Sequence, residues 1–260
     1  MCMFTQPVVS VADTRIFACL TGTATQLLVY EMSYAAAGDL AMVLPLPVAS
    51  RDEDTAVRFI DLSALPDFFD QLAMSIWLWE EEGASGGMLF ASSEPAKPPL
   101  KVHEVGAFDA SFVPSIADFD RLDARFRLPG NVWTQLPQYR DYGFAVFKLR
   151  ETGQALKGVH PMAFEFSTRL TNEIFVPTVH VHDGRVHSQA WFDHIVYLQG
   201  KQCSVDLQGK ASSVDLQNVQ NVMGEDHDEL FALIRMERNI GVRPCYYRDG
   251  RRLEEPEFIQ

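Results

Sequence analysis

The chain predicts an α+β fold: a largely antiparallel sheet with three or four helices in a single compact domain. Three observations carry that prediction. β-branched and aromatic runs dominate the first 50 residues. Apolar residues then recur at helical spacing over 65–79. Beyond that, strand-like and helical stretches mix without the βαβ alternation of a parallel sheet. The 260 residues, 47% of them hydrophobic, suit one large domain over 1–260. The loop over 83–99, rich in Gly, Ser and Pro, is a weak internal boundary.

The elements follow in order. Val8, Val9, Val11, Ile16, Phe17 and Ala18 form apolar runs around polar residues 12–15. Residues 27–30 form a second strand and 41–46 a third, which Pro45 and Pro47 end or confine to an edge. Ser63 can cap a helix whose buried stripe is Leu65, Phe68, Phe69, Leu72, Ile76 and Trp79. Strand patterning resumes over 101–113. A second helix spans about 115–126, where Ser115 and Asp118 resemble a capping box with a shortened acid. Residues 142–149 and 162–166 read as buried strands, and 174–197 as a hairpin. Residues 204–208 recur as 213–217, one echo and too little for a solenoid. A last helix occupies about 225–239, and a hairpin follows over 246–253.

Charge and processing signals narrow the function. A net charge of −13 repels phosphate and argues against nucleic acid and anionic membranes as partners. The longest apolar run, 41–49, is short for a membrane span and is broken by prolines. The start lacks the basic residues of a signal peptide, so a cytoplasmic protein is expected. Cys2, Cys19, Cys203 and Cys245 show no C-x-x-C spacing and read as reduced thiols. Gly83-Ala84-Ser85-Gly86-Gly87 fits G-x-S-x-G but follows a helix, which is the wrong setting for a nucleophile elbow.

Five of the seven histidines fall between positions 160 and 194. With Asp183 and Gly184 in a two-residue turn, His182 faces Arg185, Val181 faces Val186, and His180 faces His187. Strand alternation then puts His180, His182 and His187 on one face and Val179, Val181 and Val186 on the other. Three imidazoles on one face are the donor set of a transition-metal site, copper or iron ahead of zinc, with a position left for dioxygen or substrate. Asp193 can add a fourth ligand or orient an imidazole, and His160 can join through the tertiary fold. The competing reading is a solvated or satisfied histidine strip.

Cys2 is the second candidate. Removal of Met1 would give a cysteine whose own α-amine, with a pKa of about 7.7–8.0, can act as its base. That is the chemistry of N-terminal-nucleophile amidohydrolases. The expected partner is then a small-molecule or peptide substrate. A third reading is a non-catalytic binding or assembly protein anchored by Trp77, Trp79, Trp133 and Trp191.

Several stretches also carry a family likeness: residues 41–48, Ala-Met-Val-Leu-Pro-Leu-Pro-Val; residues 59–63, Phe-Ile-Asp-Leu-Ser; residues 141–149; and residues 160–166, beginning His-Pro-Met. The pattern resembles an uncharacterised, mostly secreted bacterial family. Its members follow their signal peptide with an N-terminal Cys and carry an Ala-Trp-Val-Leu-Pro-Val-Pro motif. The likeness covers roughly the first 180 residues and implies no known activity. The histidine segment lies at its end.

Overall fold

A computed structural model describes residues 2–52, 55–79, 103–105, 108–171, 173–177, 179–187, 194–199, 243–246 and 258–259. In chain order the strands are β1 (Met3–Phe4), β2 (Ser10–Gly22), β3 (Thr25–Ala35), β4 (Leu40–Leu46), β5 (Val57–Asp61), β6 (His103–Val105), β7 (Phe108–Val113) and β8 (Gly143–Leu149). Then come β9 (Lys157–Gly158), β10 (Met162–Ser167), β11 (Ile174–Phe175), β12 (Ile195–Gln199), β13 (Arg243–Tyr246) and β14 (Phe258–Ile259). Helix α1 is Phe68–Trp79 and α2 is Gly130–Gln135.

Two sheets stack. One has the order β1-β4-β8-β7-β6 and is wholly antiparallel. The other runs β13-β12-β2-β3-β10-β5, with β9 beside β3; its one parallel pair is β12 with β2. The sheet-rich, mainly antiparallel expectation therefore holds.

Side-chain alternation sorts the apolar residues into three buried layers. Between the sheets lie Ile16, Leu28, Tyr30, Met42, Leu44, Phe147, Phe164 and Phe166. On the outer face of the second sheet, Phe17, Leu27 and Val29 meet Phe68, Phe69 and Leu72 of α1. On the outer face of the first, Val43, Phe144 and Val146 meet Phe119, Val132, Tyr139 and Val181. Burial on both faces explains why β4 is apolar throughout.

Several local expectations change. The polar residues 12–15 do not separate two strands. They form a bulge within one long strand, with Asp13 at φ +55° and the register shifting between Ala12 and Arg15. Pro45 sits inside β4 opposite Phe144, but β1 reaches only Met42 and Val43. Ser63 does not start α1. Its N–H donates to the Asp61 carboxylate at 2.8 Å, and Pro66 disfavours helix in the residue before it, so α1 begins at Phe68.

The helix expected over 115–126 is two 3₁₀ segments, Ile116–Arg121 and Ala124–Phe126. The Ser115 hydroxyl donates to the Asp118 carboxylate at 2.6 Å instead of capping the backbone. Aspartate is too short to reach back as a capping-box glutamate does. Nor do the described residues of 174–197 form a hairpin: β11 pairs with β14, and β12 with β2 and β13. Buried Gln26 fixes β11 by accepting from Phe175 N–H at 2.8 Å and donating to Phe175 C=O at 2.6 Å.

The boundary at 83–99, the G-x-S-x-G at 83–87, the echo at 204–217 and the helix at 225–239 lie outside the described residues. So does the hairpin at 246–253, apart from Tyr246. Among the described residues no helix is long and apolar enough to cross a membrane.

Candidate functional site

The site assembles around β1. Phe4 N–H donates to Val181 C=O at 2.9 Å, and Val181 N–H donates to Cys2 C=O at 3.1 Å. Val8 N–H donates to His182 C=O at 3.0 Å. This lashing makes a parallel bridge between Met3 and Val181. It also corrects the hairpin geometry. Val181 uses its backbone groups on β1, so among the described residues no ladder joins 179–182 to 185–187. The turn is where Asp-Gly placed it, with Gly184 at φ +78°, where glycine is unstrained. It is closed by the Asp183 carboxylate, which accepts from Arg185 N–H at 3.0 Å.

Alternation still operates. Met3, Val179 and Val181 point into the outer layer of the first sheet. Cys2 and Phe4 point the other way, into the layer between the sheets, and His182 turns to meet them. The His182 ring lies 5.0 Å from the Phe4 ring, edge to face, and its Nε2 is 3.5 Å from Cys2 Sγ. The His180 ring lies 3.8 Å from the His182 ring. Cys2 is fully buried and its thiol is free.

Burial sets the charge state. It lowers His180 to about 4 and His182 to about 2. It also lowers His194, which lies close enough to His180 and His182 to feel both. Burial raises the Cys2 thiol, opposed in part by a hydrogen bond with the Tyr30 side chain. At neutral pH the site is therefore a thiol among neutral imidazoles. Only neutral rings stack at such spacing without repulsion.

The two sequence signals thus meet: Cys2 and the pair His180–His182 share one site. His187 is close but turned away, its ring 6.3 Å from that of His180 and its Nε2 3.0 Å from the exposed Asp183 carboxylate. His160 keeps different company, stacked on Phe108 at 4.6 Å with Nδ1 3.2 Å from Pro161 C=O. Asp193, like Trp191, lies outside the described residues, and of Trp77 and Trp79 only the backbone is described. Among the described residues, no three His, Cys, Asp or Glu side chains are placed to hold a metal ion together.

Sequence reasoning missed His194 and Tyr30. Continued along the expected hairpin, strand alternation puts Asp193 on the face of His180 and His182 and His194 on the opposite one, and that parity fails once the hairpin is gone. Tyr30 carried no signal beyond its place in the alternation of β3.

No protein-family model and no curated protein matches the chain. Among solved structures the chain is similar to baculovirus P35, at 15% identity and a TM-score of 0.47, covering 77% of this chain and 68% of that one. It is also similar to a mutated baculovirus P35 after caspase cleavage, at 17% identity and a TM-score of 0.42, covering 74% and 67%. A caspase-8/P35 complex matches at 18% identity and a TM-score of 0.41, covering 74% and 64%.

Proposed function

We propose that the chain is an acyl-reactive protein whose nucleophile is the Cys2 thiol, assisted by His182, and whose partner is a peptide or protein carbonyl. The observation that supports this reading is the 3.5 Å approach of Cys2 Sγ to His182 Nε2. In the reaction the imidazole takes the thiol proton and the thiolate adds to the carbonyl carbon. Collapse breaks the carbon–nitrogen bond, and the imidazolium returns the proton to the leaving amine. A thioester remains on Cys2. Where Met1 is removed, the Cys2 α-amine can replace His182 as base.

As built, the pair rests unreactive, because burial favours the neutral thiol and a weakly basic imidazole. Lifting β1 into water returns both groups toward their ordinary values of 9.0 and 6.5, where thiol and imidazole exchange a proton readily.

The test is adduct formation followed by intact mass and peptide mapping. The native protein is exposed to a peptide thioester. Acylation should map to Cys2, vanish in Cys2→Ala and slow by about 100-fold or more in His182→Ala, the range for a general base. No Cys2 adduct, or an equal rate in His182→Ala, would sink the reading. A retained Met1 would remove the amine as base and leave His182 alone in that role.

A second reading keeps the copper or iron oxidoreductase. It rests on the neutral imidazoles of His180 and His182, whose rings lie 3.8 Å apart and whose nitrogens suit copper or iron. Metal analysis of untagged protein, repeated on His180→Ala, decides it. Sub-stoichiometric metal in both samples removes this reading.

A further inference from the structure

Arg15 stands where β2, β3 and α1 meet. Strand parity turns it, like Phe17 and Cys19, to the outer face of the second sheet, under α1. It pairs in register with Glu31 on β3, and its guanidinium lies 2.8 Å from the Glu31 carboxylate. The same guanidinium pairs with Asp70 in the first turn of α1 and lies 5.3 Å from the centre of the Phe69 ring. We propose that this contact is a pH-sensitive clamp on α1, tightened when Glu31 takes up a proton.

The charge inventory gives the reason. One guanidinium serves two carboxylates on different elements. Asp13, in the β2 bulge, adds a third negative charge that acts on Glu31. From β12, Tyr197 is the titratable group that Arg15 feels. Elsewhere on this sheet, Arg58 of β5 pairs with Glu165 of β10 at 3.2 Å, and the Asp61 carboxylate accepts from Ser63 N–H.

Of the two carboxylates on Arg15, Glu31 is the one withdrawn from water, its side chain 14% exposed against 67% for Asp70. Glu31 is therefore the one that loses most by ionising. Burial, with Asp70 and Asp13 adding to it, pushes it up to about 7 despite Arg15. Protonation leaves the guanidinium to Asp70 and so to α1. Ionisation divides Arg15 between two anions and weakens its hold on the helix.

The sign follows from linkage. A carboxyl whose folded value is raised contributes stability that is present at low pH and lost as pH rises from its unfolded value, 4.5, through about 7. If opening α1 returns Glu31 to water, its protection falls by up to about tenfold between pH 6 and pH 8, from those two values.

The experiment is hydrogen exchange by mass spectrometry over 68–79 in the full chain, at both pH values and corrected for intrinsic rate. Wild type should lose protection toward pH 8, and Glu31→Gln should keep its protection at both. Asp70→Asn, which gives Arg15 to Glu31 alone, should show a smaller dependence than wild type and serves where Glu31→Gln does not fold. A pH-independent wild type, or the full dependence surviving in either variant, would overturn the clamp. The result does not depend on the chemistry proposed for Cys2.

Discussion

The space between the two sheets has two unlike regions. One is a set of aromatic rings: Phe59, Phe108, Phe147 and Phe164 sit 5.5–6.2 Å apart in edge-on or tilted pairs. The other holds Cys2 and Phe4, with His180 and His182 packed against them. Both are dry. In the first, dryness stabilises, because apolar area leaves water and the rings meet in favourable geometry. In the second, dryness acts on protonation: it holds imidazoles neutral and a thiol protonated. The same low dielectric is structural in one place and chemical in the other.

That contrast can be broken experimentally. The largest effect belongs to the aromatic region, where Phe147→Ala should cost about 3–5 kcal/mol in urea unfolding, the cost of a cavity in a packed core. A loss under about 1 kcal/mol would mean that this region is not close-packed.

The histidine region should show instead in acid. His180 and His182 have folded values below the unfolded 6.5, so their contribution is complete above 6.5 and is lost as pH falls toward about 4 and about 2. After a discount for partial exposure, the loss between pH 6.5 and 4 is on the order of 2 kcal/mol. Replacing both residues with Gln should flatten that limb, and an unchanged limb would remove the contrast.

A third change sharpens the aromatic side. A Cβ on Gly143 would come 2.6 Å from the buried Phe112 ring. Gly143→Ala should therefore cost about 1–3 kcal/mol as overpacking, read as a lowered thermal midpoint. The smallest effect is expected for His187→Ala, since the His187–Asp183 pair is exposed and water screens such pairs. Unfolding measured beside His182→Ala should separate the two histidines clearly.

Much of this was legible in the chain. The apolar runs of β3, β8 and β10 are set by residues that face two buried layers in turn, and the strands form where those runs place them. Cys2 and His182 were both singled out as chemistry-bearing. Their contact was not legible, because 180 positions separate them and no local rule joins the ends of such a span. The hairpin failed for a related reason. Asp-Gly specifies a turn, but Val181 finds better backbone partners in β1 than in its neighbour across the turn.

Composition and patterning by themselves determined the antiparallel sheet class, the apolar faces, the turn at Gly184 and the residue types able to do chemistry. These follow from side-chain size, polarity and backbone freedom, which act over a few residues. The tertiary structure alone decided that Cys2 meets His182, that His187 turns away to Asp183, and that Arg15 is shared between Glu31 and Asp70. It decided the charge states as well, because the pKa of a buried group depends on how much water and charge the whole fold leaves around it.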